Sequence, residues 1–164
     1  MFKDVIRRVR RNHALEHATV TLLLKRGIVP PLGGYSTPGG FIIVGRVPTD
    51  LLQEVVAEAL EGLTAGDEEL AISPHCGTNL ATGVLIGVFL ANTILGKRRK
   101  GRMKRLPFAV LGLAVGVALG RPIGTVIQRK YTTLAQMDGL KVERVFSLWS
   151  GEIPKLHRVR TIQT

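Results

Sequence analysis

Cysteine and aromatic side chains are scarce in this chain. One residue of 164 is cysteine, and Phe, Trp and Tyr together make up 5%. A single thiol excludes an intrachain disulfide framework. So few aromatics leave a poor stacking platform for single-stranded nucleic acid, and we expect no nucleic-acid partner despite a formal net charge of +11. A disordered basic tail is excluded as well, because 45% of the residues are hydrophobic. Charge is missing altogether between Leu70 and Gly96. What is present is glycine, nineteen in all, in a background of Ala, Val and Leu that suits transmembrane helices.

The uncharged stretch Thr78–Gly96 has the length of a membrane-spanning helix. A second, Leu106–Gly120, reaches that length if it continues through Arg121 and Pro122 to Gln128. Between them residues 97–105 hold seven Lys or Arg in nine positions. Such a loop belongs on the cytoplasmic side and faces anionic lipid head groups. The expectation is a multi-pass protein of a bacterial inner membrane, with the bilayer as its first partner and no cleaved signal peptide at residue 1. Gly112, Gly116, Gly120 and Gly124 are each four apart and make one smooth ridge. That ridge can face the first span or build a homo-oligomer with a second copy.

The remaining sequence reads as one small α/β domain interrupted by this hairpin: residues 1–77 before it and 129–164 after it, with 78–128 as the transmembrane part. The fold class is therefore an α+β membrane protein. Residues 2–26 show helical periodicity in Phe2, Val5, Ile6, Val9, Val20, Leu23 and Leu24. Tyr35–Val44, turning at Thr37-Pro38-Gly39-Gly40, reads as a β-hairpin. Thr49 or Asp50 should cap a second helix whose core face is Leu52, Val55, Val56, Ala59 and Leu63. Glu68–Ser73 suggests a short strand, and residues 129–137 an extension of the second span. Val142–Trp149 and Leu156–Ile162 read as strands joined around Gly151 and Pro154. They are too few to bury a sheet alone, so they should pair with the N-terminal strands.

Chemistry concentrates in His13-Ala14-Leu15-Glu16-His17. Histidines at i and i+4 on one helical face can reach a single metal ion, and Glu16 stands where it could activate a water on that metal. Val5, Val9, His13, His17, Val20 and Leu24 form one stripe, so both imidazoles should turn inward. Further ligand candidates are Cys76 and His75, in the turn before the first span, and His157 on the last strand. Three protein ligands and a water make a catalytic zinc site, whereas four close it as a structural one. Arg121, roughly 22 Å from the basic loop along the second span, lies at the depth of residues 75–76. It could hold a carboxylate or an oxyanion there.

The H-x-x-E-H pattern resembles the zinc motif of the inverzincin, pitrilysin-like metallopeptidases. That resemblance implies His13 and His17 as ligands, Glu16 as general base and a glutamate on a later helix as third ligand. Glu54, Glu58 and Glu61 are the candidates, although they fall on the side away from Val55, Val56 and Ala59. Arg11–Thr19 and His75–Asn79 together resemble a bacterial membrane family of unknown function. The function expected is thus a membrane-anchored metal-binding protein, a zinc-dependent hydrolase or peptidase working at the membrane interface. The alternative is a scaffold or assembly protein with a structural metal or none.

Overall fold

The computed structural model describes residues 2–96, 101–148 and 155–163. Residues 97–100 of the basic loop, and Trp149, Gly151 and Pro154 between the last two strands, lie outside the described residues. The chain packs as two compact units, residues 1–73 with 131–164, and residues 74–130.

The first unit begins with α1 (Phe2–Lys25), which ends where Gly27 takes a positive φ of 85°. Strands β1 (Gly33–Thr37) and β2 (Gly40–Val44) form the expected hairpin, with Tyr35 opposite Ile42. Gly40 is required at its corner. Its φ is 124°, and a Cβ there would lie 2.0 Å from the Val159 carbonyl oxygen. Helix α2 (Thr49–Thr64) follows, then β3 (Leu140–Ser147) and β4 (Leu156–Gln163). The four strands are antiparallel in the order β1-β2-β4-β3, so the C-terminal pair completes the sheet on β2. Alternation decides the faces: Phe41, Ile43 and Val159 are fully buried with Leu15 and Leu23 of α1 and Leu52, Val55 and Val56 of α2. Tyr35, Val44 and Ile162 point to solvent.

Four local expectations change. Glu68–Ala71 is a 3-10 turn rather than a strand, wound tight after Gly66 and held by the Leu70 amide on the Asp67 carbonyl. The N-cap of α2 is Pro48, whose side chain has no acceptor to offer an amide, and Thr49 is the first helical residue, its hydroxyl paired with His157. Residues 129–137 do not continue as regular helix; Gln128–Thr132 widen into a π turn and the chain then runs irregularly to β3. Finally, the apolar stripe of α1 is buried only in its later part. Phe2, Val5 and Ile6 are 77%, 41% and 42% exposed.

The second unit is a helical hairpin of α3 (Gly77–Leu95) and α4 (Arg102–Ile127). Both are long and apolar enough to cross a membrane. The second begins at Arg102, earlier than expected, so Arg102, Lys104 and Arg105 form its first turn. The glycine ridge of α4 faces α3. A Cβ on Gly116 would lie 2.2 Å from the Gly87 Cα, and one on Gly120 2.6 Å from the Gly83 Cα. An oligomer built through this ridge would have to displace α3. Large side chains such as Leu85, Phe89 and Phe108 point outward and are exposed.

Candidate metal centre

The middle of α1 carries the chemistry because it is the part of the helix that the sheet and α2 cover. Residues 11–20, His13 excepted, are buried. His13 is half-buried, His17 is buried, and their rings meet edge to face with centroids 4.2 Å apart. The i, i+4 spacing thus does put both imidazoles on one face.

Each ring is held by a backbone carbonyl. His17 Nδ1 donates to the Ala71 oxygen at 2.8 Å, and His13 Nδ1 donates to the Thr132 oxygen at 2.9 Å. A carbonyl only accepts, so each neutral ring carries its proton on Nδ1 and its lone pair on Nε2. Fixing one imidazole nitrogen in this way orients the other for a metal and raises its basicity. The two carbonyls sit at particular places in the chain. Ala71 lies just before the chain leaves this unit after Ser73, and Thr132 just after it returns at Tyr131.

Glu16 turns toward the sheet, where its carboxylate accepts a hydrogen bond from the Ser36 hydroxyl of β1. Gly34 on the same strand makes room for it, since a Cβ there would lie 2.6 Å from the carboxyl carbon. Burial pushes the Glu16 carboxyl above the usual range, against the opposing pull of the Ser36 hydrogen bond and of the His13 ring whenever it is protonated. Asn12, fully buried, ties the same helix to β1 and β4: Nδ2 donates to the Thr37 carbonyl, and Oδ1 accepts from Thr161 and Gln163. Sequence reasoning overlooked Asn12 and Ser36. A buried amide beside His13 was legible only as part of a motif.

His157 is placed elsewhere in this unit. Its Nε2 meets the Thr49 hydroxyl at 3.1 Å, its Nδ1 has no hydrogen-bond partner among the described residues, and burial lowers its pKa. Glu54 and Glu58 are exposed and held by Arg26 at 2.6 Å each, and Glu61 is exposed too, as a solvated face requires.

In the helical unit, Cys76 is the N-cap of α3, its sulfur accepting from the Thr78 amide. Cys76, His75 and Arg121 line one open groove of about 310 Å³ with Pro74, Asn79, Leu80 and Val117. The floor is fixed by an amide pair that the sequence did not reveal. Gln128 Nε2 donates to Asn79 Oδ1 at 2.7 Å, and Asn79 Nδ2 donates to the Pro74 carbonyl.

With this arrangement established, comparison with known proteins adds a family. Residues 8–145 match a family described as a domain of unknown function, DUF6391. The chain belongs to it. An uncharacterized protein of Picosynechococcus sp. (strain ATCC 27264 / PCC 7002 / PR-6) is 31% identical over 139 residues, which cover 79% of this chain and 68% of that protein. No solved structure matches. The DUF6391 region takes in the helix with His13, Glu16 and His17, the whole hairpin and most of β3. It ends before β4, and so before His157.

Proposed function

We propose that this DUF6391 protein is a membrane-anchored zinc protein with hydrolytic activity at the membrane interface. The observation that carries the reading is the imidazole pair of α1, with both Nδ1 atoms committed to backbone carbonyls and both Nε2 atoms oriented as donors. In this reading Cys76, the chain's one thiol, is the third ligand beside His13 and His17. Cys76 follows Ala71 by five residues, a stretch reaching roughly 17 Å when extended. Imidazole and thiolate are preferred zinc ligands, and three of them leave a fourth position for water. Zinc supplies Lewis acidity and a water that ionises near neutral pH. Glu16, a buried carboxyl with a raised pKa, is the proton acceptor in this scheme. Arg121 and His75, on the groove beside Cys76, would receive the carboxylate or oxyanion of a substrate. Anchoring rests on α3 and α4, with the basic loop at residues 97–105 on the cytoplasmic side.

A second reading makes the metal structural. It is favoured by the commitment of the Glu16 carboxylate to Ser36 and by the position of the two anchoring carbonyls at the chain's exit and return. Metal analysis of protein purified without chelator tests both. One zinc per chain is expected, and its loss in the variant carrying both His13→Ala and His17→Ala. Glu16→Gln should keep the zinc. If that variant also keeps hydrolytic activity shown by the parent, Glu16 is not the base and the structural reading stands.

A further inference from the structure

The apolar stripe of α1 has a core under only half its length. From Asn12 onward it is sealed by the sheet and α2, but Phe2, Val5 and Ile6 project beyond them and stay exposed. At 100° per residue these three and Val9 share an arc of about 100°, while Lys3, Arg7, Arg8 and Arg10 occupy the other side. Arg10 is already committed to the Thr133 carbonyl, and Arg7 to Asp4 at 3.4 Å on the surface. Lys3 and Arg8 are exposed on the two flanks of the apolar arc, Arg8 reaching the Gln163 carbonyl at 3.4 Å, and Arg7 lies on the far side. The family match begins at residue 8, so Phe2, Lys3, Val5, Ile6 and Arg7 precede the DUF6391 region.

We infer that the first two turns of α1 lie in the interface of an anionic bilayer. Phe2, Val5 and Ile6 enter the boundary between head groups and acyl chains, and Lys3 and Arg8 on the flanks meet the phosphates. An amphipathic helix with basic flanks has this chemistry. Charge selects the bilayer over a second copy: Lys3 and Arg8 rim the apolar arc on its two sides, and this cationic rim is complemented by anionic phosphates and repelled by an identical rim. Two turns bind a membrane weakly alone, so the contact rests on the proposed anchoring by α3 and α4, which holds the chain at the surface.

Two single-tryptophan reporters separate the two claims. In the full chain Trp149→Phe removes the native indole, and Phe2→Trp or Phe89→Trp places a new one on α1 or α3. Each protein is reconstituted with phosphatidylcholine, alone or mixed with phosphatidylglycerol, carrying bromine near the head of the acyl chains or deeper within them. Phe89→Trp should be quenched in both lipids if α3 is inserted. Phe2→Trp should lose roughly half its emission to the shallow bromine with phosphatidylglycerol present, and recover it when Lys3→Gln and Arg8→Gln are added. A quenched Phe89→Trp with an unquenched Phe2→Trp overturns the inference and leaves the anchor standing. Quenching of Phe2→Trp alone supports the interfacial contact and removes the anchor. Equal quenching in both lipids, or a blue shift without quenching, overturns it in favour of uncharged insertion or a second copy.

Discussion

In the α/β unit the interior is filled by side chains: Phe41, Leu15, Leu23, Ile43 and Leu52 are fully buried between one sheet face and two helices. In the helical unit the interior is made by their absence, glycine backbone lying against glycine backbone at Gly83, Gly87, Gly116 and Gly120. Water explains the contrast. Removing large apolar surface from water drives the first kind of packing. In the proposed membrane setting lipid already covers the apolar outer faces of α3 and α4, so that drive is weak and close approach with dispersion replaces it. The lesson is that the same change of volume has opposite meanings in the two units.

Adding volume to the hairpin should therefore have the largest effect. Gly116→Leu is expected to cost about 4 kcal/mol or more and to separate α3 from α4, read as lost resistance to denaturation in detergent. Leu85→Ala on the exposed outer face should change little in the same assay. Removing volume from the other unit comes next. Phe41→Ala should destabilise it by about 3–5 kcal/mol in a chemical melt that leaves hairpin helicity intact; joint loss of both would show that the units do not unfold separately.

Protonation gives a smaller, signed effect. The pKa of His157 is lowered in the folded chain by burial. Between that value and the ordinary histidine value of about 6.5 the unfolded chain binds the extra proton. Stability is thus whole above about 6.5 and declines as pH falls through this window. His157→Leu should flatten that limb of the stability–pH curve, and an unchanged limb would assign it to other groups. Smallest of all is Arg26→Ala, which removes two ion pairs at the exposed face of α2. Its thermal midpoint should stay within experimental scatter of the parent at physiological salt.

Periodicity made most of the architecture legible. The three-four spacing of Leu52, Val55, Val56 and Ala59 foretold the buried face of α2, whereas the uniformly apolar run Phe41–Val44 announced a strand without showing which of its faces is covered. It failed where backbone geometry decides. Glu68–Ala71 carries strand-like residues, yet a 3-10 turn presents the Ala71 carbonyl to His17. A stripe also cannot show where its core ends, so Phe2 and Ile6 looked identical to Val20. The histidine pair was legible through its spacing and the apolar run around it. Its two carbonyl anchors were not, since Ala71 and Thr132 contribute backbone atoms that no side-chain pattern records.

The pair of buried amides at the open end of the hairpin has a consequence for how that hairpin finds one alignment. Glycines repeating every fourth residue on α4 make a slide by one helical turn nearly degenerate, because each glycine of α3 simply meets the next one along. Smooth surfaces fit at several settings. Gln128 and Asn79 fit at one: a slide of roughly 6 Å would part their buried 2.7 Å hydrogen bond, at the cost that parting a buried polar pair carries. The glycines bring the helices together, and this polar contact selects the setting at which they stop.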